Sequence, residues 1–227
     1  EKKNTDYWMT TRNLLSAGLK SDQADIADIE NKIEFLNDTI EFSKEVVKGT
    51  VRYTIQKGDT LQKIAAAHNT TIALLQKING IENPNKIFPG MNIKIVKGGT
   101  YRILVEKSSF KLTLYRDGIF IKSYDIGIGK KGEETPTGKT TITVKQVHPD
   151  WAPIGKTPIR YGDPRYPLGE RWLGFDRTNF ASFGIHGTNE PETIGKKSSN
   201  GCVRLKNPEV IELYEIVPRG TEVEIIE

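Results

Sequence analysis

The sequence contains one cysteine, three histidines and two methionines in 227 residues. A single cysteine excludes an intramolecular disulfide and a zinc site made of four cysteines. The histidines show no metal-ligand spacing, so we predict no metal and no other cofactor. No apolar run approaches the roughly 20 residues that span a bilayer, and we therefore predict no transmembrane segment in this chain.

Charged residues are nearly balanced and dispersed along the chain. There are 33 lysines and arginines against 29 aspartates and glutamates, a formal net charge of +4. No block of like charges occurs, so nucleic acid is not a predicted partner. Hydrophobic residues make up 36% and charged residues 27%, which is typical of a globular chain. The chain begins at Glu1 rather than Met, and we expect a signal or anchor upstream to have been removed.

Three segments differ in pattern, and we predict a multidomain α+β chain divided into residues 1–50, 51–98 and 99–227. In the first, branched aliphatic residues recur at spacings of three and four: Ile26, Ile29, Ile33, Leu36 and Ile40. This spacing predicts a helix that starts near Ser21 and stops near Gly49. A shorter helix over residues 7–17 would pair with it as an N-terminal helical hairpin.

The second segment, from Val51 to about Lys97, is predicted to fold as strand, helix, helix and strand. Asp59 is a candidate cap for the first helix, and Gln62 three residues later would complete a capping box. The second helix is expected to run from about Thr70 to the Asn79-Gly80 pair.

Three stretches of this segment, YTIQKGDTLQKIA, LLQKINGI and IFPGMNIKI, closely resemble a LysM module. The resemblance implies binding to N-acetylglucosamine-containing glycans such as those of peptidoglycan. It also implies a groove between two loops, with these contact residues: Gly58, Asp59, Thr60 and Leu61 on one side, Asn79, Gly80 and Ile81 on the other. The residues alone leave another interpretation open, in which Leu61 and Ile81 belong to the core and Asp59 is only a cap.

The third segment shows alternating apolar and polar residues, which predicts an all-β domain of roughly 130 residues, built like a sandwich or barrel. Asp117-Gly118 between two such runs indicates a hairpin. Residues 135–138, TPTG, are expected to form a turn before a strand, and the only helical pattern lies over Asn207 to Glu215.

The stretch IHGTNEPETIGKKSSNGCVRL holds the only cysteine and one of the histidines. In a strand, Val203 and Leu205 share one face, which leaves Cys202 and Arg204 on the other. The same alternation places His186 opposite its apolar neighbours. These three side chains are therefore predicted to face away from the core, which argues against a buried structural cysteine.

A free thiol is a few per cent ionised at neutral pH, so a nucleophilic Cys202 needs a nearby base, and His186 is the candidate. Gly201 has no side chain to cover the backbone. The amides of Gly201, Cys202 or Val203 are therefore candidate donors to an oxyanion. Arg204 is expected either to hold a substrate carboxylate or to form a surface salt bridge.

The whole third segment resembles the YkuD-type L,D-transpeptidases. The signature His, loop, Ser-x-Gly-Cys-hydrophobic-Arg is present, together with ETPTGKTTIT and YPLGERWLGF upstream. The resemblance implies that Cys202 is the nucleophile, that His186 is its base and that the carbonyl of Gly187 orients the imidazole. It further implies that Ser199 braces the loop. Asn200 stands where many members carry a second histidine.

In that family the cysteine attacks a peptidoglycan stem amide, releases the terminal D-Ala and passes the acyl group to a side-chain amine of a neighbouring stem. The resemblance thus implies a peptidoglycan L,D-transpeptidase anchored by LysM, outside the cytoplasmic membrane in the wall or a spore envelope. Carbapenem-type covalent inhibitors are expected to react with it. Two alternatives stay open, an L,D-carboxypeptidase that uses the same acyl-enzyme and a non-catalytic wall-binding protein.

Overall fold

The computed structural model describes the following residues: 11, 12, 15, 26–40, 42, 43, 46, 50–96, 99–152 and 157–227. The chain divides into two compact units. One comprises Glu1–Thr100 with Tyr115–Lys122, and the other comprises Tyr101–Leu114 with Ser123–Glu227. Among the described residues, no helix is both long and apolar enough to cross a membrane.

Helix α1 of the first unit runs over Ile26–Ile40. Its apolar stripe is used as predicted in its middle, where Ile33 is fully buried and Leu36 nearly so. The helix ends earlier than predicted, because Phe42 and Ser43 form a bend. The Phe42 ring packs on Leu74, Ile78 and Val96 of the same unit. The start at Ser21 and nearly all of the partner helix over 7–17 lie outside the described residues, so the hairpin stays a prediction.

A buried amide fixes α1 from the side. The Asn37 side chain is 1% exposed and donates to the carbonyls of Phe120 and Ile121 at 3.3 and 2.8 Å. Its oxygen accepts from Arg12 at 3.3 Å. Because buried amides are costly unless they are paired, this set of bonds fixes the position of the helix along the tip of the hairpin that carries Phe120.

The segment after α1 folds as predicted into strand, helix, helix and strand. The elements are β1 (Thr50–Thr54), α2 (Leu61–Ala67), α3 (Ile72–Asn79) and β2 (Asn92–Val96). The two strands pair in antiparallel fashion, with Thr50 opposite Val96. Aliphatic residues from all four elements and their loops form one small core, and Phe42 packs on a second cluster made of Leu74, Ile78 and Val96.

The predicted cap of α2 is wrong by one residue. Thr60, not Asp59, caps α2, since its hydroxyl accepts from Lys63 N at 3.2 Å. The Asp59 carboxylate instead accepts from Tyr53 Oη and Gln56 N, both at 2.7 Å, and these bonds lower the pKa of Asp59. Thr71 caps α3 in the same way as Thr60 caps α2.

The second unit is rich in β-structure. Its elements are β3 (Tyr101–Glu106), β4 (Lys111–Arg116), β5 (Ile119–Asp125), β6 (Ile128–Gly129), β7 (Gly138–Val147), β8 (Arg171–Phe175), α4 (Arg177–Phe180), β9 (Gly184–His186), a 3-10 turn (Pro191–Thr193), β10 (Lys197–Ser199), β11 (Val203–Arg204), α5 (Asn207–Ile216) and β12 (Glu222–Ile226). The tip of the β4–β5 hairpin, Tyr115–Lys122, belongs to the first unit. The predicted hairpin turn is present, with positive φ at Asp117 and Gly118. The predicted helix over 207–215 is also confirmed as α5.

Eight of these strands form one sheet in the order β11-β9-β8-β7-β12-β3-β4-β5. β11 runs parallel to β9, and β12 runs parallel to β3. Helix α5 packs against β8 and buries Val210, Leu213 and Ile216. The unit is therefore not all-β as predicted, but a large sheet with helical elements. Polar residues lie on the face of β9 and β11 that is opposite to the buried Ile185 and Val203.

Candidate active site

The parallel pairing of β11 with β9 brings the cysteine and the histidine together. Val203 lies opposite Ile185, and Arg204 lies opposite His186. Both Val203 and Ile185 are fully buried, so Cys202 and His186 are on the opposite face, as the alternation predicts. Extending the register by one residue puts Cys202 opposite Gly184, two residues before His186. The Cα atoms of Cys202 and His186 are then about 8 Å apart along the diagonal.

His186 is more enclosed than the sequence suggests, since only 4% of it is exposed. The reason is Trp172 on β8, which lies opposite His186 in the sheet. The indole and imidazole centroids are 5.8 Å apart at an angle of 27°. Trp172 is not among the predicted site residues, and its role could be recognised only from the register of β8 with β9.

The imidazole is oriented by a main-chain oxygen. His186 Nδ1 lies 2.5 Å from the carbonyl oxygen of Gly187. A carbonyl can only accept, so Nδ1 carries the proton and Nε2 keeps a lone pair. Gly187 must be glycine here, because a Cβ atom would lie 2.2 Å from Asn207 Oδ1. This is the geometry that the expected role of Gly187 requires.

Burial keeps the imidazole neutral. Loss of solvent lowers the pKa of His186 to about 4, and the positive charge of Arg204 acts in the same direction. Hydrogen bonds to the backbone of Gly187 and Leu168 oppose the decrease only partly. At neutral pH, His186 is therefore a proton acceptor and not a cation.

The thiol is also neutral at rest. Burial raises the pKa of Cys202 to about 11, although a backbone hydrogen bond from Gly184 and the charge of Arg204 favour the thiolate. The thiol donates to the Ser182 carbonyl, with 3.8 Å between Sγ and the oxygen. The pair thus rests as thiol and imidazole, not as a thiolate–imidazolium ion pair.

Gly184 is a site residue that the sequence analysis missed. Its backbone contacts the sulfur, and it has no room for a side chain, since a Cβ would lie 2.6 Å from Leu173 O and 2.8 Å from the Trp172 ring. A glycine two residues before the histidine is visible in the sequence. Its proximity to Cys202, however, depends on the pairing of two strands separated by a loop.

The loop before the nucleophile is held by Ser199, which is 1% exposed. Its hydroxyl donates to Cys202 O at 2.6 Å and accepts from Gly201 N at 3.2 Å. The amide of Gly201 therefore donates to Ser199 in this structure, and the amide of Val203 belongs to the parallel ladder of β11 with β9. Of the three predicted oxyanion donors, the amide of Cys202 is the one best placed for that role. Gly201 has φ +101°, and a Cβ there would lie 2.4 Å from the Phe183 ring.

The two other predicted residues of this stretch have protein partners. Asn200 is exposed, and its Oδ1 accepts from Lys130 Nζ at 2.9 Å. Arg204 Nη1 lies 3.1 Å from a Glu190 carboxylate oxygen and 3.4 Å from Thr193 Oγ1. The salt-bridge interpretation of Arg204 thus describes the structure, and a substrate carboxylate would have to compete with Glu190.

The predicted glycan contacts of the LysM module divide by exposure. Leu61 and Ile81 are 1% and 8% exposed and belong to the small core, as the alternative interpretation expects. Gly58, Thr60 and Gly80 are exposed at the two loops. Because Gly58 and Gly80 both have positive φ, they also have a conformational reason to be glycine.

Asn79 joins the two halves of that module. Its Nδ2 donates to Leu75 O and Lys94 O, both at 2.8 Å, and its Oδ1 accepts from Lys94 N at 2.6 Å. The side chain thus ties the end of α3 to β2. A glycan contact at Asn79 stays a prediction, since all the bonds seen there are structural.

Both predicted domains match known families. The model of the L,D-transpeptidase catalytic domain, YkuD, matches residues 100–225, and that of the LysM domain matches residues 53–96. Proteins named putative L,D-transpeptidase YkuD from Bacillus licheniformis and Bacillus subtilis are each 35% identical over 179 residues, covering 76% of this chain and 97% of theirs.

Among solved structures, an L,D-transpeptidase from Mycobacterium smegmatis aligns with a TM-score of 0.47 at 21% identity, over 61% of this chain and 64% of that one. The YkuD model covers more than half of the 227 residues. The chain therefore belongs to the L,D-transpeptidase family with a YkuD-type catalytic domain, and it carries a LysM domain ahead of that domain.

Proposed function

We propose that this cysteine L,D-transpeptidase cross-links peptidoglycan stems through an acyl group carried on Cys202, with His186 as the base. The observation that carries the proposal is the His186 tautomer. Its Nδ1–H is committed to Gly187 O, so Nε2 has a lone pair on the sheet face that also bears Cys202. A neutral base beside a neutral thiol is suited to removing the proton during attack.

In the acylation step, Sγ attacks the carbonyl carbon of the third residue of a tetrapeptide stem while His186 Nε2 takes the thiol proton. The C–S bond forms, and the negative charge on the carbonyl oxygen is met by the amide of Cys202. The C–N bond to the terminal D-Ala then breaks. D-Ala leaves as an amine after taking the proton back from His186, which leaves a thioester and a neutral imidazole.

In the second step, a neutral side-chain amine of a neighbouring stem attacks the thioester. His186 accepts a proton from the amine, the C–S bond breaks and the sulfur takes that proton. The product is an amide between the third residues of two stems, and the resting thiol and imidazole are restored. If water attacks instead of the amine, the same acyl-enzyme gives a tripeptide, which is the carboxypeptidase outcome.

The LysM module would hold the enzyme on glycan strands, through the loops at Gly58–Leu61 and Asn79–Ile81. Tethering raises the local concentration of stems without changing the catalytic site. Its exposed Gly58, Thr60 and Gly80 are the residues best placed to touch a sugar. An enzyme that acts on peptidoglycan works outside the cytoplasmic membrane, either in the cell wall or in a spore envelope.

Mass spectrometry of a purified disaccharide-tetrapeptide tests the proposal, with the wild type and Cys202→Ala compared. We expect a dimer that lacks one D-Ala, formed only by the wild type. Tripeptide alone would indicate the carboxypeptidase. No product, and no carbapenem adduct on Cys202, would leave a non-catalytic wall-binding protein.

A further inference from the structure

The residue beside His186 on the edge strand is a largely buried arginine. The parallel register pairs Arg204 with His186, and both side chains lie on the sheet face that carries Cys202. The side chain of Arg204 is 13% exposed. Burial dominates the pKa of His186 and that of Cys202, and the charge of Arg204 acts on both. A guanidinium therefore borders the catalytic pair.

The hydrogen bonds of Arg204 are incomplete. Its Nη1 lies 3.1 Å from a Glu190 carboxylate oxygen and 3.4 Å from Thr193 Oγ1. Its Nε is buried and has no hydrogen-bond partner among the residues that the structure describes. A buried donor without a partner is unfavourable. Because a guanidinium can bind a carboxylate through two parallel N–H groups, Arg204 has a donor left for a further acceptor.

Glu190 is a partner that a ligand can replace. Its side chain is 52% exposed, and an ion pair with so exposed a member contributes little to stability. The backbone of Glu190 is held separately, since its N–H donates to Thr188 Oγ1 at 3.0 Å and its carbonyl accepts from Thr193 Oγ1 at 2.6 Å. The carboxylate can therefore turn into solvent while the loop keeps its place.

The leaving group of the proposed reaction carries an anion to this position. His186 returns its proton to the nitrogen of D-Ala, which must then lie about 3 Å from the imidazole. The carboxylate carbon of D-Ala is two bonds from that nitrogen, a distance of about 2.5 Å. The carboxylate is thus about 5 Å from the imidazole, close to the spacing of neighbouring strands.

The two neighbours of His186 differ in what they offer an anion. On one side is the Trp172 indole, with its centroid 5.8 Å from that of the imidazole. On the other side is Arg204. A carboxylate placed against the indole would lose water without gaining a partner, whereas the guanidinium supplies charge and hydrogen bonds. The carboxylate is therefore expected on the side of Arg204.

We propose that Arg204 binds the free carboxylate of the leaving D-Ala, and that Glu190 occupies this position until the donor stem displaces it. The proposal rests on the proposed function, because there the leaving residue is D-Ala. Arg204 is then a specificity-determining residue, which favours donor stems that end in a free carboxylate one residue beyond the attacked carbonyl. Glu190 weakens this preference by competing for the same guanidinium.

Two donor substrates test the proposal on the full chain. One is the disaccharide-tetrapeptide with its free terminal carboxylate, and the other is the same molecule with a terminal carboxamide. Mass spectrometry measures release of D-Ala or of D-alaninamide, and the ratio of the two kcat/KM values is compared between proteins. Both substrates carry the same sugars, so LysM affects them equally. Each ratio comes from one protein preparation, so a variant that folds poorly does not distort it.

We expect Arg204→Gln to lower the ratio of acid to amide about tenfold relative to wild type, because a charge-assisted hydrogen bond is lost. Glu190→Gln is expected to raise the ratio about two- to fivefold, the effect of removing an exposed ionic competitor. Glu192→Gln is the matched control, since this exposed carboxylate belongs to the same turn. It should keep the wild-type ratio.

Three results would overturn the assignment. A ratio within twofold of wild type in Arg204→Gln would mean that Arg204 only holds the loop. A lower ratio in Glu190→Gln would mean that Glu190 positions Arg204 and does not compete with the donor. Equal increases in Glu190→Gln and Glu192→Gln would indicate a general effect of charge. A wild type that releases nothing from either substrate would instead contradict the proposed function.

Discussion

The carbonyl oxygen of Gly187 and Nδ1 of His186 are 2.5 Å apart, so the imidazole is oriented by the backbone of the residue that follows it. No carboxylate side chain is needed for this. A main-chain oxygen carries no full charge and therefore raises the pKa of the imidazole less than a carboxylate would. That is consistent with a buried His186 that stays neutral.

Replacing Gly187 with alanine is expected to displace this carbonyl. The added Cβ would lie 2.2 Å from Asn207 Oδ1, so the backbone must shift. We expect kcat to fall at least tenfold with KM nearly unchanged, because the base is misaligned and substrate contacts are kept. D-Ala release from a disaccharide-tetrapeptide measures both constants.

The double variant Gly187→Ala with Asn207→Ala provides the control. Removing the Asn207 side chain takes away the closest clash, although Glu170 N at 3.1 Å remains. We expect part of the lost kcat to return, as a positive coupling between two residues in contact. Equal loss in the single and double variants would mean that the clash with Asn207 is not the cause.

The thiol should react slowly at neutral pH. The pKa of Cys202 is raised to about 11. The thiolate fraction is therefore expected to rise about tenfold per pH unit from pH 7 to 10, and the rate of alkylation by iodoacetamide should rise with it. Intact-mass measurement of the single adduct gives the rate. The same protein unfolded in urea serves as the reference, and its alkylation rate should level off near pH 9. A plateau near neutral pH in the folded protein would indicate a thiolate–imidazolium pair instead.

Local sequence patterns predicted much of the site. The alternation in CVRL fixed the face of Cys202, since Val203 has to be buried, and the Asp-Gly pair fixed the turn at Asp117. Both depend on neighbours along the chain. The capping residue of α2 was misassigned because Asp59 and Thr60 are adjacent and both are good caps. In the structure the Asp59 carboxylate is bonded to Tyr53 Oη and Gln56 N instead, and Thr60 is the cap.

Contacts that depend on strand register could not be predicted. Trp172 lies on His186, and Gly184 contacts Cys202, only because β8, β9 and β11 align in one particular way. No periodicity within any one of these strands specifies its partner.

Acid should destabilise the fold through His186. Its pKa is about 4 when folded against 6.5 for the free side chain, so the unfolded chain binds the proton more tightly. The resulting stability is fully present above pH 6.5 and is lost as the pH falls towards 4, about 3 kcal/mol in total. Urea unfolding at pH 7.5 and 4.5 should show the wild type losing 2–3 kcal/mol more than His186→Gln. Equal losses in the two proteins would contradict the burial of a neutral imidazole.

Two buried threonines should respond in opposite ways to loss of the hydroxyl. Thr221 is 3% exposed, and its Oγ1 donates to Pro218 O at 2.8 Å. Thr221→Val leaves that carbonyl unpaired and is expected to lower the free energy of unfolding by about 1–2 kcal/mol. Thr140→Val removes a hydroxyl without a described partner, so stability should be unchanged or higher by up to about 1 kcal/mol.

Urea denaturation of both variants beside the wild type measures the contrast. If Thr140→Val is destabilised as much as Thr221→Val, the hydroxyl already has a partner in the free protein.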